Sequence, residues 1–151
     1  MSTGSMMNPA PLPDDSQAHQ QAKASEALTE DQCWEYLEAA RFGRLATMDD
    51  QEIEITPINF VASKRKLYFR TARGAKLFRL TLTGKVALEI DRVAGDTAWS
   101  VMVRGSARQL TDSAELEHAR SLDLKPWLDT EKIEFVEIEP TRVTGRSFRL
   151  G

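Results

Sequence analysis

The chain has 151 residues, 41% of them hydrophobic, enough for one globular domain with a real core plus a tail. Its formal charge of -3 argues against bulk attraction to nucleic acid or anionic membrane, and its single cysteine excludes a disulfide framework and an all-cysteine metal site. No apolar run approaches the roughly 20 residues of a membrane span, and no basic segment leads into an apolar one at the start, so a cytoplasmic protein is expected.

Residues 1–27 read as a disordered tail, with Pro9, Pro11 and Pro13 in a Ser/Gln/Ala-rich setting that lacks aromatic residues. The folded domain is expected over 28–151. Thr29, with Gln32 three residues on, fits a capping box and predicts a helix from Glu30 to about Arg41, with Gly43 as its C-terminal cap. Arg44 to Met48 reads as a strand and Asp49-Asp50-Gln51 as a turn. Ile53 and Ile55 then alternate with Glu52, Glu54 and Thr56. After Pro57 the apolar phase moves to Ile58 and Phe60, which predicts a bulge or a break in the ladder. Backbone groups freed at such a bulge suit the edge of a planar heterocycle.

The next stretch, Lys64 to Leu88, holds Lys64, Arg65, Lys66, Arg70, Arg73, Lys76, Arg79 and Lys85 and not one of the 23 acidic residues. A strand over Lys66–Thr71 ends in Arg-Thr, Gly74 makes a turn, and a short helix runs from Gly74 to about Leu82. A strand end, a glycine turn and a helix start with lysine in its first turn form a candidate anion site. There, free N–H groups, the helix dipole, Arg70, Thr71 and Lys76 would favour a ligand phosphate. The same charges also fit a solvated hairpin turn at Lys64–Lys66 and an exposed helix face.

Val86, Leu88 and Ile90 alternate in the following strand, and Trp99, Val101 and Val103 in the one after, where Gly105 marks a close approach or bend. Asp112 or Ser113 caps a second main helix. Lys125-Pro126-Trp127 is a loop or a single turn. Ile133 to Ile138 is a strand, with Glu134, Glu137 and Glu139 read as its solvent side; Pro140 interrupts it, and Val143 to Leu150 is a last strand. Six or seven antiparallel strands with three helices favour a small closed barrel, because closure removes exposed edges.

No catalytic set is visible. His19 lies in the tail and His118 on a charged helix, no Ser, Cys or Thr has a plausible catalytic histidine partner nearby in sequence, and no metal motif occurs. An anion site without acid, base or nucleophile suits a protein that leaves its chemistry to a cofactor. Trp34, Trp99 and Trp127 fit core or dimer packing by default; Trp99 and Trp127 also suit stacking on an aromatic ligand.

The succession INF, YFRTARGAKLFRL, VALEID, TAWSVMVRGSARQL and IEFVEIEPTRVTGRSF resembles the pyridoxamine 5′-phosphate oxidase-related flavin split-barrel family, in particular its small actinobacterial-type members, over about residues 28–150. The resemblance implies a mainly β (α+β) fold, a six-stranded antiparallel split β-barrel with flanking helices. It also implies a homodimer with FMN sites between the subunits and a small-molecule substrate. By position, Arg70 and Thr71 correspond to the family's strand-end pair near the flavin phosphate and Lys76 to its phosphate lysine. Pro57, Ile58 and Asn59 lie where its second strand lines the isoalloxazine ring. Ser100, after Trp99, takes the place of a glutamine near the flavin.

Two departures set this chain apart. Ala75 stands where pyridoxamine phosphate oxidases have the arginine of an Arg-Lys pair, and Arg142-Val143-Thr144-Gly145-Arg146 replaces their substrate-binding terminus. An FMN-dependent oxidoreductase is therefore expected, without commitment to pyridoxine phosphate. The alternatives are an F420-dependent reductase, with Lys64–Lys66 meeting the cofactor's anionic tail, and a non-enzymatic binder of flavin or another planar ligand. A nucleic-acid module is disfavoured by the net acidity.

Overall fold

The computed structural model describes residues 25–124 and 133–150. The disorder expected for 1–24 and the loop expected around Trp127 lie outside the described residues. In chain order the elements are β1 (Ser25–Ala27), α1 (Glu30–Ala39), β2 (Phe42–Asp49), β3 (Glu52–Asn59), β4 (Val61–Ser63), β5 (Lys66–Ala72), α2 (Lys76–Thr81), β6 (Lys85–Ala94), β7 (Thr97–Gln109), α3 (Ser113–Ser121) and β8 (Ile133–Arg149).

The capping box forms as expected: the Gln32 amide donates to Thr29 Oγ1 at 3.1 Å, and the Thr29 amide donates to Gln32 Oε1 at 2.9 Å. Two helix-start donors are satisfied reciprocally. The helix then buries Cys33, Trp34 and Leu37 against the sheet. Its cap is Ala40, in extended conformation, and not Gly43. Gly43 lies inside β2, where a Cβ would sit 2.9 Å from the Glu89 carbonyl oxygen, so glycine is there for close approach.

Every strand pairing is antiparallel, and the sheet runs β3-β2-β6-β7-β8-β5-β4, with β1 added beside the end of β8. The architecture is the expected mainly β split barrel with flanking helices, but it has eight strands where six were implied. The excess comes from the short strands. β1 takes residues assigned to the tail, and β4 is a three-residue strand folded back on β5. Ile58 and Phe60 from one end of the sheet share a core with Leu67 and Phe69 from the other, together with Leu45, Leu88, Val101, Val103, Val136 and Ile138. Burial of this set supplies the main driving force for folding.

Three local expectations need correction. The ladder between β2 and β3 is unbroken from Phe42–Asn59 to Asp49–Glu52, so Pro57 makes no bulge; it stands opposite Arg44. The phase change arises because Ile53 and Ile55 face outward, 69% and 66% exposed, while Ile58 faces the core. The real irregularity lies between Arg104 and Gly105, where β8 inserts Thr141, and β8 runs through Pro140 as one strand of 17 residues. A Cβ on Gly105 would fall 2.2 Å from the Glu139 carbonyl oxygen, so this crossing requires glycine. Last, Glu134 and Glu137 do not face solvent; both are buried.

Candidate functional site

Side chains alternate across a strand, and register decides which residues share a face. Along β3, Pro57 and Asn59 point outward with Ile53 and Ile55; Arg44 and Phe42 stand opposite them on β2. The row continues through Glu89 on β6 and Met102 on β7 to Thr144 on β8. Beside it, Asp91, Ser100 and Arg146 form the next row. Pro57, Asn59 and Ser100 are thus brought onto one open flank of the sheet. From β3 to β7 it crosses three interstrand steps, roughly 14 Å.

The open flank is apolar at its β3 edge and charged at its centre. One guanidinium nitrogen of Arg44, Nη1, donates to Glu89 Oε1 at 2.9 Å and to Asp91 Oδ2 at 3.0 Å. Partial burial, then the hydrogen bond and charge of Asp91, push the Glu89 carboxyl up to about 7, against the pull of Arg44. Nothing in VALEID taken alone reveals this cluster, although Glu89 and Asp91 at alternate positions are a signal that both share a face.

The other expected site residues lie elsewhere. Ile58 is in the core, 3% exposed, and Thr71 is buried facing inward. Trp99 stacks on Tyr36 of α1, ring centroids 4.0 Å apart, on the opposite side of β7 from Ser100. These two aromatics line a cavity of about 330 Å³ with Glu26, Thr97, Ser147 and Arg149. Arg70 and Thr71 are neighbours in an extended strand and point to opposite faces. Arg70 donates from Nη1 to the Leu124 carbonyl at 3.1 Å and lies 5.5 Å from the Phe135 ring, and its buried Nε has no partner among the described residues.

Lys76 opens α2 after Ala75, which gives that helix no side-chain cap. Its ammonium reaches back to the β2–β3 hairpin, 2.7 Å from Glu54 and 3.3 Å from Asp49. Hydrogen bonds to Glu54 and then Asp49 raise its pKa, so it is held as a cation paired with those carboxylates. The structure therefore does not gather Arg70, Thr71 and Lys76 on one face.

A second polar cluster lies where α3 covers the same outer face. Tyr68 donates to Glu137 Oε2 at 2.9 Å, Arg108 donates to Glu137 Oε1 at 3.1 Å and also pairs with Glu115, and Lys66 stands 3.6 Å from Glu137. Burial and the bond to Glu137 push the Tyr68 phenol up. His118, half-buried rather than solvated, packs edge-on to Tyr68 and lies 3.4 Å from Ser63 Oγ. The Lys64-Arg65 turn is a hairpin loop with both residues at positive φ. Arg65 pairs there with Asp31 at 2.5 Å, which ties the turn to the start of α1.

The profile of the pyridoxamine 5′-phosphate oxidase family matches residues 29–147. The chain belongs to the pyridoxamine 5′-phosphate oxidase family. A Mycobacterium smegmatis FAD-binding protein is 40% identical and superposes with a TM-score of 0.78 over 83% of this chain and 100% of that one. A Corynebacterium glutamicum protein is 35% identical, TM-score 0.75, over 86% of this chain and 98% of that one. An uncharacterized Mycobacterium tuberculosis protein is 41% identical over 87 residues, 58% of this chain and 79% of that protein. The family match takes in both flanks of the sheet and the β7–β8 bulge between them. No helix among the described residues is long and apolar enough to cross a membrane.

Proposed function

We propose that this member of the pyridoxamine 5′-phosphate oxidase family binds a flavin nucleotide on the open flank of its sheet and uses it for oxidoreduction of a small substrate. The observation that carries this proposal is the convergence of Pro57, Asn59 and Ser100 on one exposed face that is apolar at its edge and charged at its centre, where Arg44 holds Glu89 and Asp91. FAD-binding relatives of the same fold support a flavin, with FMN, FAD and the deazaflavin F420 as the forms to distinguish.

The residues fit such a group. Pro57, Ile55 and Met102 offer apolar surface to the ring, and Asn59 and Ser100 offer hydrogen bonds to its polar edge. Lys76 is the phosphate cation, exchanging Glu54 and Asp49 for the ligand. The flavin, when bound, supplies hydride transfer through N5. Arg44 fixes the Glu89 and Asp91 carboxylates, and Glu89, whose affinity for a proton is raised by partial burial and by Asp91, can hold or release a proton beside the ring. A second copy of the chain closing over Ile53 and Ile55 would exclude water and place the site at a homodimer interface. A cytoplasmic setting belongs to the same proposal.

The test is an absorption spectrum of the purified protein, followed by denaturation and identification of any released chromophore. Released or rebound FMN or FAD is expected, and Lys76→Ala should weaken binding by about 1–3 kcal/mol, the cost of losing a charge-assisted partner. Protein that binds neither flavin would overturn the proposal; wild-type affinity in Lys76→Ala would remove the phosphate role.

A further inference from the structure

The bulge between β7 and β8 places two arginines directly opposite each other. Arg104 and Arg142 are cross-strand partners on the outer face, both exposed, immediately before the shift at Gly105. Like charges in directly opposed positions destabilise a sheet. Neither side chain has an acidic partner among the described residues, whereas Arg44, Arg65, Lys66, Arg73, Lys76 and Arg108 all do.

The pair is held in place by backbone features. Gly105 admits the Glu139 carbonyl where no side chain would fit, and the Thr141 hydroxyl donates to the Arg104 carbonyl at 3.1 Å. In the same row, across β6 and β2, stand Ala87, Ala46 and Ile55, a low apolar floor leading from the two guanidiniums towards the β3 edge. On this flank Arg44, Lys85, Arg104, Arg142 and Arg146 oppose Glu89, Asp91 and, just across the bulge, Glu139; Glu89 and Asp91 are already taken by Arg44, and Glu139 by Lys66. A chain of net charge -3 thus carries a cationic field at one end of its open flank.

We propose that Arg104 and Arg142 form a clamp for an oxyanion, a carboxylate or phosphate carried by the substrate, whose apolar part would lie over Ala87 and Ala46. An oxyanion between two guanidiniums receives charge-assisted hydrogen bonds from both and removes their repulsion. The proposal rests on the flavin assignment for its position beside a reaction centre, but the clamp itself does not require the cofactor.

The experiment follows thermal unfolding and binding of the purified full chain, with inorganic phosphate and acetate as probes against chloride at matched ionic strength. Wild type should be stabilised by at least one of the two, and which one separates phosphate from carboxylate. Arg104→Met and Arg142→Met should each weaken that binding tenfold or more. In chloride alone, Arg104→Met should melt at a higher temperature than wild type, because the repulsion is relieved. Both variants should keep wild-type flavin affinity.

Equal responses to phosphate and acetate in wild type and variants would overturn the clamp. So would loss of dimer in Arg104→Met without loss of anion binding, which would give the arginines to a partner's carboxylate. A parallel loss of flavin affinity would assign the pair to the cofactor phosphate and overturn the substrate role. If wild type binds the oxyanion but no flavin, the clamp stands and the cofactor proposal alone fails.

Discussion

Under α3, the outer face of β5, β7 and β8 is closed by the chain itself: Tyr68, Arg108 and Lys66 converge on the buried Glu137, and Val61, Leu110, Ala119 and Leu124 seal them with a small apolar cluster. Across the bulge, the same β7 and β8 belong to the flank that none of the described helices covers, where Arg44 holds two part-exposed carboxylates and Ile53 and Ile55 face outward. A polar network satisfied internally fixes the fold, while polar and apolar groups left on an uncovered face of the same sheet are available to a ligand or a partner.

The largest effect should come from breaking the boundary between the two flanks. Gly105→Ala forces a Cβ to within 2.2 Å of a backbone oxygen, and neither strand can move without disturbing both clusters. A loss on the order of 3 kcal/mol is expected in denaturant unfolding. A near-neutral result would mean that the bulge relaxes freely and does not organise the face.

Next in size is Tyr68→Phe, which removes one donor from a buried carboxylate. It should cost about 1.5–3 kcal/mol in denaturant unfolding while leaving flavin affinity unchanged. Ile55→Asp, on the open flank, should behave in the opposite way. The side chain is 66% exposed, so monomer stability should shift by no more than about 0.5 kcal/mol, while sedimentation should report a monomer in place of the proposed dimer. If Ile55→Asp unfolds the chain and Tyr68→Phe does not, the comparison between the flanks is inverted.

The sequence carried most of this framework, for identifiable reasons. The capping box at Thr29 and Gln32, the alternation of Val86, Leu88 and Ile90, and the strand ending in Arg70-Thr71 are local signals, and local signals survive into the fold. The residues misread were those whose environment is set by a distant strand. Gly43 looked like a helix cap because nothing local reveals the Glu89 carbonyl against it. Glu134 and Glu137 looked solvated because their partners, Arg73, Gln109, Tyr68 and Arg108, lie far along the chain. Of the expected site, Pro57, Asn59 and Ser100 share a face, but which of each adjacent pair points outward depends on register, and Ile58 and Trp99 turn the other way.

The smallest effect concerns Glu89. Its pKa in the folded chain, about 7, lies above the ordinary carboxylate value of 4.5, so the folded state favours the proton. The resulting stabilisation is present below about pH 4.5 and is lost as pH rises through 7. Glu89→Gln should therefore become progressively more stable than wild type between pH 5 and pH 8, by about 1 kcal/mol at most because the group is partly exposed and screened. Parallel pH–stability curves for the two proteins would show that Glu89 titrates normally.

The claim that function resides on the open flank is tested most directly by flavin titration of two variants, one from each flank. Ser100→Asp adds a carboxylate beside Asp91 on the face assigned to the ring; Glu115→Gln alters the network under α3. Ser100→Asp should lose flavin affinity tenfold or more, and Glu115→Gln should bind as wild type does. Normal binding by Ser100→Asp, with loss in Glu115→Gln, would place the cofactor on the covered flank and contradict the account.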